Sequence, residues 1–179
     1  MNKSELEYHS ISKLLHWIIV LLLLISIPTA YYMSGLLDEN NIKWTLYDLH
    51  ESLGITILIL MIFRIIWIRK HPVIAGVKED PKLQKIITII VHRTFYVLLI
   101  FLPLCGWVMN SAGGYPVPFF GIELPQIVGK NDFLASIAYT LHFYIGYLLV
   151  ILILIHIAGV IMHLLKNNNI LTKMTFHKS

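Results

Sequence analysis

Three histidines, His142, His156 and His163, interrupt the otherwise almost unbroken apolar run 141–165. His142 and His156 are separated by a spacing that returns them to nearly the same face of a helix, about 21 Å apart along its axis. An ionisable side chain at bilayer depth is costly, so intramembrane histidines point to a function and to a partner group. His16, His50 and His92 each stand in one of the remaining apolar segments. Together these residues could ligate two flat metal cofactors at two depths of a membrane.

The elements that must position them follow from composition. The chain has 179 residues, of which 57% are hydrophobic and 13% charged, and its mean hydropathy is +0.73. These values lie outside the range of soluble domains and within that of polytopic membrane proteins, so residues 1–179 read as one integral membrane domain. The single cysteine, Cys105, excludes an internal disulfide, and no Cys-x-x-Cys-His motif offers covalent haem attachment. Any haem would therefore be b-type, held by axial ligands and packing. The net charge of +4 could suggest nucleic acid. However, Lys43 and Lys130 are the only Lys or Arg outside one side of the topology derived below, so the basic excess marks membrane orientation, and no nucleic-acid partner is expected.

Four apolar runs, at 14–33, 49–68, 86–109 and 133–165, are long enough to span a bilayer and predict an all-α integral membrane four-helix bundle. The first is read as a retained span, because no small-x-small cleavage site follows it and His16 with Lys13 sits badly in a signal peptide. The connection 34–48 is polar and short, 69–85 is basic, and 110–132 is turn-rich and aromatic, suited to lie over the mouth of the bundle. Pro103 predicts a kink in the third span. The tail 166–179 is basic. Asp38, Glu39, Asp48, Glu51, Glu123 and Asp132 accompany Lys43 and Lys130 on the other side. The positive-inside rule then places both termini in the cytoplasm of a multi-pass protein.

Topology gives each histidine a depth. His50 and His142 are level near the outer side, and His16 and His156 are level near the inner side. Each pair joins two helices at one height, as a bis-histidine haem requires. Gly54 follows His50 by four residues and Gly146 follows His142 by four, so each helix has a small residue one turn along the same face, against which a porphyrin could lie or a neighbouring helix could pack. His92 is an inner-half residue that could be a rival ligand, a propionate donor or a quinone contact. His163 reads as a supporting or surface residue, and His9, His71 and His177 as solvated. Lys13, Arg93 and Arg64 could meet haem propionates or an anionic quinone, or snorkel to lipid headgroups. The competing readings are histidines serving as interhelical glue and a histidine-lined metal or proton path. Against the path, the spans carry no Asp or Glu deeper than Glu51, and the histidines fall into two levels.

Four motifs in order, KLLHW at 13–17, HESLG with R-x-x-W-x-R within 50–69, LPLCGWVMNSAGGYPVPFFGIELP at 102–125 and the histidines of the fourth span, give a resemblance over nearly the whole chain. The chain resembles the bacterial cytochrome b561 family, dihaem four-helix membrane cytochromes related to the cytochrome b subunits of nickel-iron hydrogenases. The resemblance implies two non-covalent haem b groups with bis-histidine ligation by His16, His50, His142 and His156. It further implies a bacterial inner-membrane location and electron exchange with ubiquinone. For some members it implies oxidation of superoxide at the outer face. The alternative it implies is a haem-bearing membrane anchor for a larger oxidoreductase, with a redox partner subunit on the aqueous connections.

Overall fold

The computed structural model describes residues 9–71 and 81–166; Lys3, the centre of the basic loop, the tail beyond Lys166 and His177 lie outside the described residues. The four apolar runs form four helices, α1 (Ser10–Ser34), α2 (Asn41–Lys70), α3 (Lys82–Gly113) and α4 (Asp132–Leu165). All four are long and apolar enough to cross a membrane. Side chains such as Ile59, Val97 and Phe101 remain exposed, as a bundle whose surroundings are hydrocarbon allows.

The helix ends are set by local chemistry. Asn40 and Asn131 cap α2 and α4, their side chains accepting from the N–H of Ile42 and Leu134 at 3.0 Å each, which satisfies donors that a helix start leaves free. Gly114 ends α3 in the left-handed region, with φ 85°. The Gly114 N–H donates to the Ser111 carbonyl and the Tyr115 N–H to the Asn110 carbonyl, the paired bonds of a Schellman motif.

Two expectations change. The connection expected at 34–48 shrinks to 35–40, because the Asn40 cap starts α2 eight residues before the apolar run does. His50 therefore sits more than two turns inside its helix. The Trp44 indole donates to the Asp38 carbonyl at 3.1 Å and Lys43 ion-pairs with Asp38, so polar contacts extend α2 beyond its apolar stretch. The second change is a hairpin in 110–132, formed by strands β1 (Val117–Phe119) and β2 (Ile122–Leu124) paired antiparallel with Val117 opposite Leu124. Its turn has φ 49° at Phe120 and φ 88° at Gly121, the signs of a type I′ turn. Three-residue strands beside Pro116 and Pro125 leave too little alternation to be read from sequence.

The helices pack in series, α1 on α2, α2 on α3 and α3 on α4, with β1 against α2. Among the described residues, the backbone of α4 runs close to α3 and approaches neither α1 nor α2 comparably. A buried cluster of Ile19, Ile57, Met61, Leu98, Leu99, Leu149 and Leu152 fills the middle of the bundle. Leu149 lies midway between His142 and His156, so the cluster separates the two histidine levels.

The hairpin is fastened to α2 by Ser52, whose hydroxyl donates to the Asp48 carbonyl at 2.7 Å and accepts from the Phe120 N–H at 3.0 Å. Ser52→Ala leaves that N–H without its acceptor and is expected to cost about 1–2 kcal/mol. The readout is a lower Tm in detergent together with faster proteolysis within 115–125. Unchanged cleavage there would show that the hairpin does not depend on Ser52.

Candidate functional site

Inner here denotes the end of the bundle where α1 begins and α4 ends, and outer the opposite end. At the outer level, His50 of α2 faces His142 of α4 with ring centroids 6.1 Å apart. At the inner level, His16 of α1 faces His156 of α4 at 6.4 Å. Each pair crosses one of the gaps that helix packing leaves open. Metal–imidazole bonds are about 2 Å long, so two imidazoles on opposite sides of one iron place their ring centres about 6 Å apart. Both spacings meet that requirement. Among the described residues, no three His, Cys, Asp or Glu side chains converge as a bare metal ion would need.

The outer imidazoles are held in a defined protonation state. His142 Nδ1 lies 2.9 Å from the Leu102 carbonyl and His50 Nδ1 lies 3.2 Å from the Ser26 carbonyl and 3.0 Å from the Ser26 hydroxyl. A carbonyl only accepts, so Nδ1 carries the proton and Nε2 keeps the lone pair that binds a metal. Gly106 makes the His142 contact possible. A Cβ there would lie 3.2 Å from His142 Cε1 and 3.3 Å from Nδ1, so any side chain would push the ring away from Leu102. Gly106 was not singled out from sequence, although it lies within the LPLCGWVM motif one turn after Leu102.

The glycines that were singled out differ from each other. A Cβ on Gly54 would meet Pro103 Cβ at 3.9 Å, an ordinary contact that places Gly54 in the α2–α3 packing, whereas Gly146 faces open space. The two glycines expected to match therefore stand in different surroundings, one at the α2–α3 contact and one beside open space.

A cavity of about 340 Å³ surrounds the inner pair. Its walls are apolar except for His16, His156, His92, Arg64 and Tyr96. Arg64 is 6% exposed and donates to the Ser12 carbonyl at 3.1 Å, so it points into the bundle and does not snorkel. Lys13 is equally buried. Arg93, by contrast, is exposed and absent from the cavity wall, which its neighbour His92 lines. The His92 ring lies 5.5 Å from that of His156, and Phe95 packs edge-on against the same ring.

The remaining described histidines lie at helix ends. His163 is buried and bonded to the Gln84 amide at 2.9 Å, tying α3 to α4, so of the two expected places, supporting or surface, it does not take the surface one. His9 and His71 are exposed but lie against Trp67, His71 stacked on it at 4.2 Å. At the outer end, Lys43 is engaged by Asp38 and by the Leu36 carbonyl, and the stem of Lys130 lies over Gly114.

Comparison with known proteins adds to this geometry. The family model described as prokaryotic cytochrome b561 matches residues 7–177. The chain is 22% identical over 151 residues to cytochrome b561 homolog 2 of Escherichia coli (strain K12), covering 84% of this chain and 80% of that protein. It is 26% identical over 162 residues to the probable superoxide oxidase CybB of Yersinia pestis, covering 89% of this chain and 91% of that protein.

Gly106→Val is expected to displace the His142 ring and with it any cofactor that the outer pair holds, while leaving the inner pair intact. Optical difference spectra normalised to polypeptide would then show one component lost. Full retention of both would mean that the ring has room to move.

Proposed function

The chain belongs to the prokaryotic cytochrome b561 family, membrane electron-transfer proteins that bind b-type haem, and from that premise we propose that it carries single electrons from a donor at the outer face to ubiquinone through two haem b groups. The observation that supports this reading is the pair of imidazole couples, 6.1 and 6.4 Å between ring centres, at two levels of one bundle. His50 and His142 would hold the outer haem, and His16 and His156 the inner. Bound haem supplies the reversible one-electron chemistry.

The protein's own residues set the conditions. Ser26 and the Leu102 carbonyl fix the outer imidazoles with Nε2 free to ligate. The buried cluster around Met61 and Leu149 keeps the space between the two levels dry. Arg64, on the wall of the inner cavity, would supply positive charge for haem propionates or a reduced quinone, and Lys13, buried about one turn before His16 on α1, is a second candidate. Ubiquinone takes up two electrons and two protons in becoming ubiquinol, so two single-electron deliveries complete one acceptor. Both chain termini would be cytoplasmic, and the membrane the bacterial inner membrane.

Superoxide is the proposed donor, suggested by the relative from Yersinia pestis; it would lose one electron and leave as dioxygen. Among the described residues, Glu39, Asp48, Glu123 and Asp132 are exposed at the outer end against the single cation Lys130, while Lys43 and Asp38 cancel each other in an ion pair. That field opposes a small anion at long range. Outer-haem reduction by superoxide after pulse radiolysis is therefore expected to accelerate as salt screens the repulsion. Slowing with salt would mean that a local cation guides entry, and no reduction at all would remove superoxide as donor.

A haem-bearing anchor for a larger oxidoreductase is the second reading. Exposed Phe120 and Ile122 on the hairpin favour it, since they offer an apolar contact at the outer end. A stoichiometric partner copurifying from native membranes would establish the anchor, and ubiquinone reduction by the isolated protein would establish the oxidoreductase.

The central test is a reduced-minus-oxidised spectrum with the haem-to-polypeptide ratio. Two haems per chain are expected, and absence of a b-type band ends the proposal. His142→Ala should then lose the outer haem and spare the inner, while His156→Ala does the reverse. Loss of the same spectral component in both variants would overturn the pairing.

A further inference from the structure

The inner site holds more imidazoles than a haem has axial positions. His16, His92 and His156 come from three different helices and line one cavity. We propose that His92 is an alternate axial ligand of the inner haem, able to take the place of His16 opposite His156. This rests on the haem reading above.

Orientation is the first ground. His92 Nδ1 donates to the Thr88 carbonyl at 2.7 Å, which leaves Nε2 as the nitrogen with the free lone pair. His50 and His142 are prepared in the same way at the outer level, so His92 carries the hydrogen bond that a metal-binding histidine needs. Position is the second. The His92 and His156 rings are 5.5 Å apart, whereas ligation from opposite faces of one iron asks for about 6 Å. His16, at 6.4 Å, meets that spacing as it stands and is the resident ligand. His92 falls short of it by less than about 1 Å, within reach of a side-chain rotation.

The arrangement of the helices gives the exchange a route. His92 and His156 stand on α3 and α4, which pack closely along their length, while His16 stands on α1, whose backbone approaches α4 far less. The ligand that spans the open seam is therefore the one more easily withdrawn. Were α1 to shift away from α4, His92 would remain beside His156 and could supply the second imidazole. A simple packing role for His92, edge-on against His156 like Phe95, predicts no such substitution.

The test compares full-length purified His16→Ala, His16→Gln, His92→Ala and the His16→Ala/His92→Ala double variant by haem content, by electron paramagnetic resonance of the oxidised state and by redox titration. The outer haem reports in each that the bundle has folded. His92→Ala is expected to keep both haems. His16→Ala and His16→Gln should keep an inner haem that is low-spin with two imidazoles but displaced in g-values and midpoint potential. The double variant should lose the inner haem alone. The proposal is overturned if the single His16 variants lose the inner haem as fully as the double variant, or hold it high-spin with one ligand. Failure of the haem reading itself looks different, since the unaltered protein would then bind no haem.

Discussion

A neutral imidazole in hydrocarbon has few ways to satisfy its two nitrogens, and the rest of this bundle is arranged around that constraint. Leaving a buried polar group without a partner costs roughly 1–3 kcal/mol. At the outer level one nitrogen of each ring is satisfied by a backbone carbonyl of a neighbouring helix, Ser26 for His50 and Leu102 for His142. The two rings then stand 6.1 Å apart across an interhelical gap. Hydrogen bonding between helices, ring orientation and ligand competence thus arise from the same few contacts.

Serial packing is the second determinant. With α1 on α2, α2 on α3 and α3 on α4, the bundle has a seam along α4, and both histidine couples cross it. Metal binding that joins two sides of a seam contributes to folding as well as to chemistry. In this bundle the cofactors would close what helix packing leaves open. The buried cluster around Leu149 holds the helices in place between the two crossings.

Much of this was legible in the sequence, for identifiable reasons. Four apolar runs cannot be anything but spans, and the spacing of His142 and His156 fixes their shared face whatever the tertiary detail. Their partners His50 and His16 followed from topology alone. What escaped depended on neighbours in space. Gly106 matters because of a ring from another helix, and Arg64 is buried because Ser12 offers a carbonyl. Gly54 and Gly146 looked equivalent at the same spacing but diverge because Pro103 of α3 occupies the place beside one of them. Arg93 lies off the cavity wall that its neighbour His92 lines, a difference between adjacent residues that spacing alone does not give. The start of α2 moved because a cap and an indole hydrogen bond outweighed a polar composition.

The position of Leu149 midway between His142 and His156 has an electrical consequence. The two levels are about 21 Å apart along α4, roughly two thirds of a hydrocarbon core about 30 Å thick, and the layer between them is apolar. Charge crossing that layer moves through most of the transmembrane field, at about 1.6 kcal/mol per 100 mV for this fraction of the span. With the proposed topology, an electron passing inward travels toward the negative side. The energised state of the membrane would then act as a brake on turnover, strongest when respiration has already charged the cell and weakest when the potential collapses.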